Sequence, residues 1–216
     1  MRPLLIILAL LLANAAADCD VLQDLCVADL SSEVKINGYT CKNAATVTPN
    51  DFFFAALANP SPINNNTLGI EVTLGNVEKV PGLNTLGISV ARIDYAPGGI
   101  NPPHSHPRAS EIIFVLEGEL EVGFITTANV LMAKQIKKGE VFVFPKGLLH
   151  YQKNIGKGPS AVIAAFNSQL PGTQSVAASL FSATPALPDN VLAKAFHMST
   201  PEAEKIKSRI RNRIVP

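Results

Sequence analysis

Gly98-Gly-Ile-Asn101-Pro-Pro-His104-Ser-His106-Pro-Arg-Ala-Ser-Glu111-Ile-Ile-Phe-Val-Leu116 is the stretch on which the fold reading turns. Pro102, Pro103 and Pro107 bracket the histidine pair, and proline lacks the amide hydrogen that a continuous helix needs. The pair is therefore placed on extended chain, where a side-chain period of two sends both rings to one face. Glu111 opens a β-branched, aromatic run that reads as a buried strand. Further on, Val141-Phe-Val-Phe144 enters a Pro145-Lys-Gly147 turn and His150 follows it. Three imidazoles and one carboxylate (His104, His106, Glu111 and His150) can surround a divalent first-row metal. A donor set without thiolate suits Mn, Fe, Ni, Cu or Zn, and raw affinity alone would favour Cu over Mn.

Outward from this stretch the chain keeps one texture. Strand-like runs at residues 85–95, 111–116, 120–125, 141–144 and 161–166 are separated by Gly, Pro and Asn, which predicts a mainly β sandwich or barrel. No helix-period segment interrupts them, which counts against alternating strands and helices. Phe114, Phe124, Phe142, Phe144 and Phe166 are expected in the core, with one of them lining the metal cavity. Residues 66–181 form the expected barrel and residues 18–65 an irregular arm, with a short helical candidate at 48–57. Residues 182–216 turn helical, at 189–197 and 202–213. Thr200-Pro201-Glu202 reads as cap, first-turn proline and first-turn acid, and His197 as a helix C-terminal residue. Ala203, Ile206 and Ile210 make a narrow apolar stripe. Helices with so little of their own to bury are expected to pack on a neighbouring subunit.

Residues 1–17 read as a secretory signal peptide: Arg2, an apolar stretch over 4–12, then Ala15-Ala16-Ala17. The apolar stretch is too short to span a bilayer. Removing Arg2 takes Lys+Arg from 18 to 17 against 17 Asp+Glu, so no basic field remains for nucleic acid or an anionic membrane. Secretion permits disulfides. Cys19, Cys26 and Cys41 allow three pairings with one thiol left over. Cys26–Cys41 is favoured, because Cys19 lies within two residues of the expected new N-terminus. Asn65-Asn-Thr67 is an N-glycosylation sequon in a Pro/Asn-rich loop, so Asn65 is the expected glycan site.

The spacing around the metal residues resembles the two motifs of the cupin superfamily. Gly98, His104, His106, Glu111 and Gly118 fit the first, and Gly139, Pro145, Gly147, His150 and Asn154 fit the second. The likeness narrows at Gln23-Asp-Leu-Cys26-Val-Ala-Asp29, at 101–111, at Lys146-Gly-Leu-Leu-His150-Tyr-Gln and at Asn167-Ser-Gln-Leu-Pro-Gly172, which resemble plant germin sequence. What the resemblance implies is a cupin jelly-roll β-barrel with a disulfide-pinned N-terminal arm and C-terminal α-helices. It also implies manganese held by His104, His106, Glu111 and His150, a Cys26–Cys41 disulfide, and a secreted, glycosylated hexamer built as a trimer of dimers. The C-terminal helices would then clasp neighbouring subunits.

The chain departs from the germin pattern in two places. Cys19 is extra to the usual pair. Germins that oxidise oxalate carry an asparagine on the strand before the metal box, where this chain has Ala91; the second amide they use corresponds to Asn101, which is present. Each hydrogen bond to a charged group contributes roughly 1.5–3 kcal/mol, so losing one disfavours oxalate. The function expected first is an apoplastic superoxide dismutase that generates hydrogen peroxide in cell-wall or defence processes, acting on a small anionic or dioxygen-derived substrate. The alternative is a non-enzymatic wall or receptor-ligand protein with a structural metal. Oxalate oxidase comes third.

Overall fold

The structure is a computed structural model that describes residues 23–63 and 67–214. The expected leader at 1–17, Cys19 and Asn65 lie outside the described residues. Among the described residues ten strands follow the arm: β1 (Ile70–Gly75), β2 (Ser89–Tyr95), β3 (Ile100–Ser105), β4 (Glu111–Glu117), β5 (Glu119–Ile125), β6 (Leu131–Lys137), β7 (Val141–Phe144), β8 (His150–Asn154), β9 (Ser160–Phe166) and β10 (Gln174–Ser175). They form two five-stranded antiparallel sheets, β1-β2-β9-β4-β7 and β10-β3-β8-β5-β6. Side chains of both sheets meet in one core that includes Ile93, Ile113, Val115, Leu120, Val122, Phe144 and Val162. This is the expected mainly β, two-sheet jelly roll.

Alternation along β4 shows how the sequence chooses its faces. Glu111, Ile113 and Val115 point inward, while Ile112 and Phe114 point out. Phe114 is therefore 45% exposed, against the core position expected of it. Period two forces this: if Glu111 faces inside, a residue three positions on cannot. Phe144 and Phe166 are buried as expected, and Phe124 and Phe142 pack against the core from its margin.

The motif glycines serve turns. Gly98, Gly118, Gly139 and Gly147 all adopt positive φ, which side-chain-bearing residues avoid. At Gly118, between β4 and β5, an added Cβ would also lie 2.1 Å from Ser160 Oγ. Pro102 and Pro103 are tolerated inside β3 because its register with β8 breaks between Asn101 and His104.

The arm differs from the helical candidate at 48–57. Only Pro49–Phe52 is helical, as a 3-10 turn whose Thr48 and Asp51 close a capping box. Asp51 also binds Lys42 at 2.7 Å, and Phe52 packs on Gly82, where an added Cβ would come within 2.3 Å of the ring. These contacts tie the chain down after one turn. The disulfide is Cys26–Cys41, as expected. Asn84, fully buried, stitches it to the barrel: its Nδ2 donates to Cys26 Sγ and to the Tyr39 carbonyl, and its Oδ1 accepts from Gln169 Nε2.

Three α-helices follow the barrel among the described residues: α1 (Val176–Phe181), α2 (Asp189–Phe196) and α3 (Thr200–Ile214). His197 ends α2 in the left-handed region, as a C-terminal residue should. The cap of α3 is Ser199 in place of Thr200, since the Ser199 amide and hydroxyl both donate to Glu202. Phe181, Leu192 and Ala203 bury one another, with Ile206 and Ile210 packed against them. The helices thus have an in-chain partner in α1, which the sequence reading did not include. Replacing Cys26 and Cys41 together by serine opens a loop with a sequence separation of 15. Urea denaturation should show a loss of about 3 kcal/mol, and an unchanged midpoint would mean that Asn84 alone pins the arm.

Candidate metal centre

The four sequence-predicted donors come together in the space between the sheets, all of them buried. His104 on β3 lies opposite His150 on β8 in the strand register, so one sheet supplies two rings side by side. Glu111 opens β4 in the other sheet, flanked in register by Phe144 and Phe166. His106 follows β3, in the turn toward Glu111. The Gly147 amide donates to the His106 carbonyl, fastening the turn that holds His106 to the turn before His150.

Each ring is aimed by a backbone carbonyl. Nδ1 of His104 meets Pro102 O at 2.8 Å, Nδ1 of His150 meets Leu148 O at 2.8 Å, and Nδ1 of His106 meets Gly172 O at 2.5 Å. A carbonyl can only accept, so the proton sits on Nδ1 and Nε2 is left to coordinate. Phe144 stacks on His150 with centroids 4.5 Å apart, and Phe166 meets His106 edge-on at 4.8 Å. Two phenylalanines, where one was expected, therefore wall the site.

Glu111 Oε2 lies 3.0 Å from His106 Nε2 and 3.1 Å from His150 Nε2, and the four donor atoms all fall within 4.8 Å of one another. Metal–donor bonds of about 2.1 Å at right angles would separate neighbouring donors by about 3.0 Å, the spacing that Glu111 Oε2 keeps to His106 and His150. The set is compatible with a metal.

Electrostatics sort the ligands. Burial, reinforced by the charge of His150, lowers the His104 pKa to about 4. Burial pulls His106 down as well, but the hydrogen bond to Glu111 and that carboxylate's charge outweigh it and raise its pKa. Burial alone would raise Glu111, yet hydrogen bonds from His106 and His150 bring it down to about 2.

Beside the ligands stands a polar group that sequence reasoning missed. Gln152, fully buried on β8, donates from Nε2 to Glu111 Oε1 at 3.1 Å. Asn101, the candidate amide near the ligands, donates to Gln152 Oε1 at 3.1 Å. Gly172 was noted only as part of a family-like segment; its carbonyl turns out to orient His106.

Metal affinity should fall on acidification with His106 as the first competitor. Its raised pKa means that it holds a proton at Nε2 at higher pH than an ordinary imidazole, and binding must expel that proton. His104, at about 4, and Glu111, at about 2, are already in their ligating forms there. Chelator competition from pH 8 downward should show roughly tenfold weakening per pH unit once His106 protonates. A flat profile between pH 8 and pH 6 would contradict this assignment.

Comparison with known proteins agrees with this geometry. Residues 55–204 match the cupin family model. Germin-like protein subfamily 2 member 4 of Arabidopsis thaliana is 67% identical over 195 residues, covering 90% of this chain and 88% of that protein. Germin-like protein 5-1 of Oryza sativa subsp. japonica is 62% identical over 213 residues, 96% of this chain and 95% of that one. Among solved structures, recombinant oxalate oxidase in complex with glycolate superposes with a TM-score of 0.85 at 42% identity, covering 89% of this chain and 98% of that chain.

Proposed function

This chain belongs to the germin-like proteins of the cupin family, and on that premise we propose that it is a secreted manganese protein of the plant apoplast with superoxide dismutase activity. The observation that carries the proposal is the convergence of three imidazoles and one carboxylate, all buried, with their donor atoms within 4.8 Å of one another. Manganese held by these residues would supply one-electron redox chemistry between Mn²⁺ and Mn³⁺, which suits the net conversion of two superoxide ions and two protons to dioxygen and hydrogen peroxide. The chain's own residues present the donors, hold one negative charge at Glu111 and screen the site with Phe144 and Phe166. Superoxide is small enough to need no shaped pocket.

Secretion is supported by the disulfide, by the leader-like residues 1–17 and by the germin-like relatives. Among the described residues no helix is long and apolar enough to cross a membrane. Assembly into a hexamer, a trimer of dimers, is supported by an apolar outer face: Ile112 pairs with Val143 and Phe114 with Val141, all 42–55% exposed. Glycosylation at Asn65 and association with the cell wall belong to the same proposal. So do the boundaries of leader, arm, barrel and helical tail.

A second reading, oxalate oxidase, is favoured by the likeness to the glycolate-bound enzyme. Two features weigh against it. Ala91 is buried within the core cluster and offers no amide, and Asn101 is engaged by Gln152. A non-enzymatic wall or receptor-ligand role with a structural metal is the alternative from outside enzymology.

Purified secreted protein should dismute superoxide at a rate proportional to bound manganese. His106→Ala should lose both metal and rate while light scattering still gives the hexamer mass. Fully loaded protein with no rate would remove the enzyme reading, and collapse to monomers in the variant would make the metal structural. Ala91→Asn tests the oxalate reading on its own: oxalate-dependent peroxide appearing only in the variant would identify the missing amide as the limit. Robust turnover in the unaltered chain would restore oxalate oxidase.

A further inference from the structure

Two donors and one acceptor converge on a single amide beside the metal centre. Gln152 Oε1 accepts the Tyr95 hydroxyl at 2.5 Å and Asn101 Nδ2 at 3.1 Å, while Gln152 Nε2 donates to Glu111 Oε1 at 3.1 Å. Tyr95 and Gln152 are both fully buried. Burial, with the charges of Glu111 and Asp94, raises the Tyr95 pKa well above its ordinary value, so the phenol keeps its proton and donates.

These pairings leave the amide one orientation. A carboxylate can only accept, so nitrogen must face Glu111; a phenol O–H and an amide N–H beside it require the oxygen on the other side. Turning the amide by half a turn would set its carbonyl against the carboxylate and its NH₂ against two donors. Leaving such groups unsatisfied in the interior costs far more than at the surface. Glu111 Oε1 is therefore committed to Gln152, and Oε2 is the oxygen that faces His106 and His150.

We infer that Tyr95 and Gln152 are positioning residues that hold Glu111 as a one-oxygen ligand, keeping two coordination positions open for water or a small anion. The inference rests on the metal reading above and deepens it. Carboxylates bind ions through one oxygen or two, and a Glu111 released from Gln152 would chelate and fill one of those positions. Asn101 assists from the same side as Tyr95 but is only half-buried, which makes Tyr95 the firmer donor.

The test compares the Mn²⁺-loaded full chain with Gln152→Leu and Tyr95→Phe. Water-proton relaxivity counts exchangeable metal-bound waters, and high-field EPR reports the symmetry of the ion's surroundings. Gln152→Leu should lower relaxivity per manganese by roughly half, as one of two waters is displaced from a six-coordinate ion. Its zero-field splitting should change as well. Tyr95→Phe, which removes only a hydroxyl, should shift both readouts in the same direction by less. Wild-type relaxivity and spectra in both fully loaded variants would overturn the inference and leave the two residues as packing. If Gln152→Leu does not fold, the near-isosteric Tyr95→Phe decides by the same criteria. A wild-type chain that takes up neither Mn²⁺ nor another first-row ion would overturn the metal reading itself, a failure distinct from unchanged spectra in loaded protein.

Discussion

A carboxylate sealed between two β-sheets must be answered from both, and the rest of this molecule is arranged around that demand. Glu111 belongs to β4, yet Gln152 of β8 in the opposite sheet donates to it, His150 of the same strand sets its Nε2 3.1 Å away, and His106 reaches it from the turn between β3 and β4. An unpaired buried charge is strongly destabilising, so each partner helps to fix the sheets' relative placement. Tyr95 of β2 closes the loop by returning from Glu111's own sheet to Gln152. Around this polar seam the core is apolar, with Ile113, Val115, Leu120 and Val122 fully buried. The low dielectric that makes the seam costly when broken also makes each of its hydrogen bonds strong.

What could be read from the sequence was what spacing along one strand or turn encodes. His104, His106, Glu111 and His150 were legible because prolines, glycines and β-branched runs state the local backbone, and the positive φ at Gly98, Gly118, Gly139 and Gly147 answers to the same punctuation. Contacts set by tertiary pairing were not legible. Gly172 orients His106 across 66 residues and Tyr95 meets Gln152 across 57, and nothing local marks either. Phe114 was misplaced by hydrophobicity when parity with Glu111 would have turned it outward. The arm's helix signals at Thr48 and Pro49 were real, but Lys42 and Gly82 capture Asp51 and Phe52 before a second turn forms. Strand β6 is mostly exposed and carries two lysines, so it shows little alternation to find, and α1 is too short for a helical period to declare itself.

The helical tail and the metal centre are one mechanical unit. Gln174 and Ser175 of β10 pair with Ser105 and His104 of β3, and the chain passes directly from there into α1. Two residues before β10, the Gly172 carbonyl fixes the His106 ring. Arg108 packs where a side chain at Gly172 would stand and donates to the Leu170 carbonyl, so this approach is clamped from the turn that carries His106. Two of the three imidazoles thus owe their setting to the segment that leads into the helices. A subunit contact made through α1, α2 and α3 would bear on that same segment, and assembly would then stiffen the site as well as bury the tail. Glu111 and His150 make no direct contact with that segment, so any such stiffening would act first on His104 and His106. That division explains why the site can be assembled from rigid sheet positions and still depend on the last quarter of the chain.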